Sequence, residues 1–446
     1  MARWAAIFLI LLMMVGVCSR ASQAGQAGKL SLDQALEQAY ENNLRVKNAG
    51  LEVQKAADAI EASKTKFLPS LHFSALESYS LTEQSYRFSK GTWGTYRGIG
   101  PIPREDVDIE THTGFTTALS ATLSQPLSQL YRIDLAVEQR YIKKEMAEEE
   151  LRAQQQSVAK KVKDAYYKVL QKQSALAATE ESIIFYRELD KLTERYLQEQ
   201  TVLKSDQLEV KTRLAKAELQ ALTQKNDLAD EKERLNNLMG RDIKNPVNLI
   251  QVPARTDYEV NLEAAQELAL EQRPEIRETK LKLRYAEHSR SIKKAEYIPD
   301  LWFKASYDKL FNVDLLPDDV GSVGLMLRWE FYDWGRKQSE LAARSKDIQK
   351  AKNNIKETQD QVILQVNQIY RKLKEARARL KVAVLSRQTA REKLRITMQQ
   401  FKQKAVLLKN LLQAETDVAQ ANRQYEDALA GFWKTKAAFE KALGEV

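Results

Sequence analysis

Leu123-Ser124-Gln125-Pro126-Leu127 opens a stretch that ends at Met239-Gly240, and adding 204 to each number lands on a second stretch, Leu327 to Gly444. Val158 and Val162 fall on Val362 and Val366, Tyr166 on Tyr370, Lys168 on Lys372, Leu176 on Leu380 and Leu208 on Leu412. Val202-Leu203 falls on Val406-Leu407 and Met239-Gly240 on Leu443-Gly444. A constant offset over this length marks an internal duplication, so fold and function are to be read off one doubled unit. The residues before each stretch repeat at an offset of 230: Leu32 on Leu262, Ala39 on Ala269, Leu51 on Leu281, and Phe67-Leu68-Pro69 on Tyr297-Ile298-Pro299. The change from 230 to 204 leaves 26 extra residues in the first copy. They lie within Ser85 to His112, where glycine, proline and aromatics cluster.

Most of each copy reads as helix. From Ile133 to Gln198 there is no proline or glycine, and Leu151, Val158, Ala165 and Val162, Val169, Leu176, Ile183 keep the seven-residue spacing of a coiled-coil seam. About 65 residues at ~1.5 Å each make roughly 100 Å of helix. Lys204-Ser205-Asp206 supplies an N-cap, so the chain turns near Glu199 to Leu203 and a return helix runs to Gly240. The return helix and the helix over Ser31–Lys66, about 35 residues each, together match the long one. The second copy repeats the scheme, with a turn near Gln403 to Val406.

After Pro69 and Pro299 the period switches to two. Leu71, Phe73, Ala75 and Tyr79 alternate with His72, Ser74 and Ser78, and Phe115, Leu119, Ala121 and Leu123 with polar neighbours. In the second copy Leu301, Phe303, Ala305 and Tyr307 form one run, and Val323, Leu325, Leu327, Trp329 and Phe331 the other. Four segments of about ten residues, apolar on one side and polar on the other, suit a membrane barrel with a wet lumen, and equally four half-buried strands of a soluble sandwich. Four strands do not close a barrel, for which about eight are the smallest workable number, so membrane strands would require several chains to share one.

The composition of the 446 residues, 29% charged with 15 Gly and 9 Pro, agrees with long helices. The formal charge of +9 is spread over mixed Lys/Glu faces without a basic arm or nucleic-acid motif, so no nucleic-acid partner is expected. One cysteine and three scattered histidines (His72, His112, His288) offer no metal set. No nucleophile or phosphate-loop motif is present; the reading is no enzyme, no catalytic residue and no cofactor. Residues 1–24 read as a signal peptide, an apolar run from Trp4 to Val17 followed by small residues. A lipid anchor would use Cys18, but Val15-Gly16-Val17 fits a lipobox poorly, and a plain signal is the reading. The domains are then a first repeat over 25–240 with a β-hairpin at 70–127, an equatorial connector over 241–260, and a second repeat over 261–446 with a β-hairpin at 300–332.

The paired junctions Phe67-Leu68-Pro69-Ser70-Leu71 and Tyr297-Ile298-Pro299-Asp300-Leu301 carry a resemblance, together with the strand exits Leu123-Ser124-Gln125-Pro126-Leu127 and Leu327 to Arg336 and the mid-helix element Ala165-Tyr166-Tyr167-Lys168-Val169-Leu170. In this order and duplication they resemble the outer-membrane efflux protein family, the TolC-like channels of tripartite efflux pumps and type I secretion. The resemblance implies a mainly α protein with membrane β. Long antiparallel coiled-coil helices would make a tunnel, and four strands per chain would join a homotrimeric 12-stranded barrel in the outer-membrane lipid. It also implies two partners, a periplasmic membrane-fusion adaptor and an inner-membrane pump of the RND or ABC type, with passive export of drugs, metal ions or other small cargo.

By position, the implied adaptor contacts are Glu199, Gln200, Thr201, Val202 and Leu203 at one tip and Gln403, Lys404, Ala405, Val406 and Leu407 at the other. Many members carry a glycine at these tips; this chain does not. Asn410 and Gln413 match the tunnel constriction, where some members place acidic rings and this chain has neutral amides. Phe73, Tyr79, Phe115, Tyr307, Trp329 and Phe331 would face lipid as an aromatic girdle. The alternative is a periplasmic coiled-coil scaffold or adaptor of the cell envelope, its strands forming a soluble domain without channel activity.

Overall fold

The computed structural model describes residues 29–82, 85–110, 114–252, 261–313 and 317–445. The expected signal peptide over 1–24, Cys18, His112 and the part of the expected connector after Val252 lie outside these residues.

Eight α-helices are described: α1 (Leu32–Asn42), α2 (Leu44–Lys64), α3 (Leu130–Gln198), α4 (Lys204–Met239), α5 (Leu262–Gln272), α6 (Pro274–Ala295), α7 (Arg336–Lys402) and α8 (Leu408–Leu443). The long strands are β1 (Ser70–Tyr79), β6 (Phe115–Pro126), β7 (Asp300–Phe311) and β8 (Asp319–Arg328), while β2 (Ser85–Phe88), β3 (Thr95–Tyr96), β4 (Gly100–Pro101) and β5 (Val107–Glu110) are short. The chain divides into two compact units. One takes the described residues of Met1–Lys47, Gln154–Ala269 and Leu364–Val446; the other takes Asn48–Ala153 and Leu270–Ile363.

The helix expected over Ser31–Lys66 is two helices. Ser31 caps α1 in a capping box with Gln34, its Oγ accepting from the Gln34 amide at 3.2 Å. Asn43 then leaves the helical region (φ −64°, ψ 125°), and its side-chain amide donates to the Leu238 carbonyl at 2.8 Å. Arg273 makes the matching break between α5 and α6 (φ −66°, ψ 129°). There Pro274 is the cause, because its ring disfavours helical geometry at the residue before it. The cap of α4 also differs from expectation. Leu203, not Ser205, is the N-cap, and the Asp206 carboxylate accepts from the Leu203 amide at 3.1 Å.

In the first unit α3 packs against α4 and α8. Lys172 pairs with Asp227 of α4 at 2.5 Å, and Lys163 with Glu440 of α8 at 2.6 Å. Ser182 donates to Glu415 of α8 at 2.7 Å. Their shared apolar core includes Ile183, Tyr186, Leu189, Val210, Leu411 and Leu412, with Phe401 of α7. Tyr166 is fully buried and ties the ends of the unit's irregular segments together. Its hydroxyl lies 2.7 Å from the Ile250 carbonyl and 3.0 Å from that of Leu30, sharing one proton between them. Burial pushes this hydroxyl up to about 12, which keeps it a donor. Leu30 meets Leu249 in a parallel bridge at the same place.

The second unit holds the four-stranded antiparallel sheet, in the order β1-β6-β7-β8. The expected hairpins over 70–127 and 300–332 correspond to β1/β6 and β7/β8, but the last strand stops at Arg328. Arg328 pairs with Asp300, the first residue of β7, and before it stands Pro299, which has no N–H to extend the ladder. Trp329 and Phe331 therefore sit beyond the strand, both exposed, with ring centroids 6.3 Å apart. The residues between β1 and β6 form two small ladders, β2/β5 and β3/β4, the first of them carrying a bidentate Arg87–Asp108 pair at 2.7 Å.

Candidate functional site

Two places in the structure carry the site residues: the turns that end the long helices in the first unit, and the sheet of the second.

At the first turn α3 ends in a Schellman motif. The Gln200 amide donates to Leu197 O at 3.0 Å and the Thr201 amide to Tyr196 O at 2.8 Å. At the second turn Lys404 donates to Phe401 O and Ala405 to Gln400 O, both at 2.9 Å. The motif requires a left-handed residue, and Gln200 (φ 55°) and Lys404 (φ 61°) occupy that region where a glycine is the ordinary choice. The far ends of α4 and α8 make the same motif with Gly240 (φ 69°) and Gly444 (φ 88°). The tip thus does without glycine by holding two long polar residues in a strained backbone conformation.

The two turns meet. Lys404 Nζ lies 3.1 Å from the Glu199 carboxylate and 5.1 Å from the centre of the Tyr196 ring. The Tyr196 hydroxyl donates to the Lys402 carbonyl at 3.3 Å. Each turn leaves one leucine bare, Leu203 at 69% and Leu407 at 74% exposed, while Val202 and Val406 are half-buried. All ten residues expected at the tips lie in these two turns: Glu199, Gln200, Thr201, Val202 and Leu203 in one, and Gln403, Lys404, Ala405, Val406 and Leu407 in the other.

Asn410 and Gln413 are exposed residues of α8, in its first and second turns. An acid stands one turn further on. Gln413 donates to Asp417 at 2.8 Å, and Lys393 of α7 does so at 2.9 Å. These two donors hold the Asp417 carboxyl below the usual carboxylate range. The sequence signal for Asp417 is its i+4 spacing from Gln413.

In the sheet, registration gathers most of the apolar residues on one face and most of the polar ones on the other, with Leu76, Ala118 and Leu310 as an apolar row on the second face and Lys309 and Asp319 as a charged pair on the first. Phe73 pairs with Ala121, which pairs with Tyr307; Leu71 pairs with Leu123, which pairs with Ala305; and Phe303 pairs with Leu325. Directly paired residues share a face, so these line up as one apolar wall. On the other face Ser74, Ser120 and Asp308 pair across three strands, as do His72, Thr122, Ser306 and Ser322 across four. Tyr79 and Phe115 are paired directly, with edge-on rings 5.0 Å apart. Phe73 is 71% exposed, Leu71 75% and Val323 75%. Of the six aromatics expected on that wall, Phe73, Tyr79, Phe115 and Tyr307 are on it. Among the described residues, no helix is long and apolar enough to cross a membrane and no cluster of His, Cys, Asp or Glu could hold a metal ion.

The family model described as "Outer membrane efflux protein" matches residues 35–241 and 265–445. The proteases secretion protein PrtF of Dickeya chrysanthemi is 21% identical over 413 residues, spanning 90% of this chain and 85% of that protein. Among solved structures, CusC superposes with a TM-score of 0.75 at 16% identity, covering 97% of this chain and 96% of that one. The Campylobacter jejuni CmeC outer membrane channel gives 0.75 at 15% identity, covering 96% and 90%. The outer-membrane channel OprN gives 0.72 at 17%, covering 93% and 90%. The chain belongs to the outer membrane efflux protein family, and it is an outer-membrane efflux or secretion channel rather than an enzyme.

Proposed function

We propose that three copies of this chain form one passive exit duct. The observation that carries this reading is the four-stranded sheet, in which the outer edges of β1 and β8 have no partner strand among the described residues and a largely apolar face is left bare beside a largely polar one. A bare row of Leu, Phe and Val is costly in water at roughly 25 cal/mol per Å² and favourable in lipid. Edge strands with free N–H and C=O groups are costly in lipid unless paired, and three chains joined β1 to β8 would close twelve strands. A periplasmic scaffold without a channel is not favoured, because it would leave that wall facing water.

In this reading the chain is a tandem repeat: 25–240 and 261–446 are its copies, 241–260 the equatorial connector and 1–24 the leader. Phe73, Tyr79, Phe115 and Tyr307 face lipid, with Trp329 and Phe331 just beyond the sheet where an interfacial aromatic belt would sit. Glu199–Leu203 and Gln403–Leu407 receive a periplasmic adaptor, the bare Leu203 and Leu407 being its apolar anchors. Asn410 and Gln413 ring the constriction. Because Lys393 balances Asp417, that ring is electrically near neutral and suits uncharged or mixed cargo better than cations alone. An inner-membrane pump supplies energy and chooses the cargo. PrtF is named for the secretion of proteases and CusC for a transmembrane channel, so a secretion partner and an efflux partner are both in scope for this chain.

Fractionation of cell envelopes with mass measurement of the detergent-extracted protein tests this. Outer-membrane recovery of a three-chain assembly that dissociates on heating is expected. Recovery as a soluble periplasmic monomer would overturn it.

A further inference from the structure

A cavity of about 790 Å³ lies wholly within the first unit, where α3, α7 and α8 meet the segment at Val252. That size is in the range of small-molecule sites. Leu170 and Ala177 of α3, Leu429 and Ala430 of α8, and Val252 give it apolar lining. Tyr167 and Trp433, also in its wall, are stacked with centroids 5.6 Å apart. Tyr425 and Arg387 complete it, the guanidinium lying 3.5 Å from the centre of the Tyr425 ring. Tyr425 also lines a second hollow of about 650 Å³ between α7 and α8, together with Lys374, Arg377 and Lys381.

Helix packing does not account for two features of this place. Trp433 is 7% exposed, and among the described residues its indole N–H has no acceptor. A buried donor without an acceptor is costly, and a ligand oxygen would satisfy it. The charges are the second feature. In the stretch 204 residues earlier, Lys374, Arg377, Lys381 and Arg387 are matched by Leu170, Gln173, Ala177 and Ile183. By the same offset of 204, Tyr425 and Trp433 are matched by Ala221 and Ala229. That earlier stretch forms a long helix and a return helix, α3 and α4, without any of the six, so building such a pair does not require them.

We propose that the cavity binds an amphipathic anion: an apolar body with a carboxylate at one end and an oxygen acceptor at the other. The carboxylate would sit on Arg387, and the second oxygen would accept from the Trp433 indole N–H. Tyr425, on which Arg387 rests, and Trp433 are eight residues apart on α8, about 12 Å of rise, which sets the length of the body. Lys374, Arg377 and Lys381 beside the shared Tyr425 add a positive field that favours an anion. An organic cation does not fit. Aromatic rings beside an acid are what such a cation seeks, but Arg387 already covers the Tyr425 ring. The acid in the wall is Glu426, whose carboxyl is raised by burial, with the Arg387 charge opposing the rise. Gln171, also in the wall, is engaged in donating to Asp427 at 2.6 Å. Because every one of these residues belongs to one unit of one chain, the site stands apart from the trimer reading above.

Isothermal titration of the full-length protein in maltoside detergent tests it, with the titration into micelles alone subtracted. The probes are decanoate, 10-hydroxydecanoate and decyltrimethylammonium. Both acids are expected to bind saturably, the hydroxy acid severalfold more tightly, and the cation not to bind. Arg387→Gln should weaken both acids at least tenfold, and Arg387→Lys should restore part of the loss. Trp433→Phe should leave decanoate nearly unchanged and abolish the advantage of the hydroxyl. Acid binding that is the same in Arg387→Gln, or a cation bound as well as the acids, would overturn the site. A hydroxyl advantage that is absent, or that survives Trp433→Phe, would overturn the pairing with the indole. Should Arg387→Gln not fold, salt provides a second arm on the unmodified protein. Decanoate affinity should fall severalfold as salt is raised, because the pairing is ionic; an affinity that holds or rises would count against the site. Current steps in a lipid bilayer report the duct separately, so failure of either reading leaves the other measurable.

Discussion

Lys404 Nζ and the Glu199 carboxylate lie 3.1 Å apart, joining two turns that are 205 residues apart in the chain. Both side chains are about half exposed, so the pair contributes no more than about 1 kcal/mol. Its value is positional: it sets one turn against the other beside the bare Leu203 and Leu407. The backbone beneath it, with Gln200 and Lys404 in the left-handed region, is the energetically strained part of the tip.

Replacing either strained residue by glycine should therefore not destabilise the protein. Gln200→Gly removes a left-handed penalty of about 1 kcal/mol and adds a similar unfolded-state entropy, for a net change near zero or slightly stabilising. Gln200→Val should cost about 1–3 kcal/mol, because a β-branched residue is disfavoured there. Thermal unfolding followed by circular dichroism checks both. A large loss with glycine would contradict the conformation assigned to the turn.

Gly240 is the opposite case. It is left-handed (φ 69°), and a Cβ there would run into the backbone carbonyl of Asn42. Gly240→Ala is expected to cost more than 2 kcal/mol, backbone strain and steric clash adding together. Urea unfolding measures it; an unchanged midpoint would show that α1 and the end of α4 do not meet as described.

Tyr166→Phe deletes the hydroxyl that holds Leu30 and Ile250. The Ile250 carbonyl loses its donor while that of Leu30 keeps the Ile250 amide at 3.0 Å, so a loss of about 1 kcal/mol is expected. The segment around Leu30 and Leu249 should become more open to protease while the helices stay resistant. Unchanged cleavage would mean that the bridge holds without the tyrosine.

Glu415 gives a pH dependence with a definite sign. It is 3% exposed with Ser182 as its hydrogen-bond donor, and burial raises its carboxyl above the ordinary value, with the Glu181 charge adding to the rise. A raised native value means that the folded chain holds this proton at pH where the unfolded chain has lost it. Stability from this group therefore falls as pH rises from about 4.5 through the native value. Glu415→Gln should flatten that part of the curve and raise the melting temperature at neutral pH. A mutant that melts lower at neutral pH would contradict the assignment.

Much of this fold was legible in the sequence, for identifiable reasons. The heptad run from Leu151 to Ile183 and the alternation after Pro69 and Pro299 impose helix and strand through side-chain spacing alone, and the structure follows them. The break at Arg273 had a signal in Pro274, whereas that at Asn43 depends on a contact with Leu238 far away in sequence. Trp329 and Phe331 keep a strand's alternation, but β7 supplies no residue beyond Asp300 to pair with them. At the tip, a search for glycine would pass over Gln200 and Lys404, since the same left-handed backbone is held there by the hydrogen bonds of the Schellman motif.

An exit duct must conduct ions across a membrane. Purified protein of three-chain mass, added to a planar lipid bilayer, should give discrete current steps whose size rises with salt concentration. The same folded trimer giving no steps above lipid alone would contradict the exit duct.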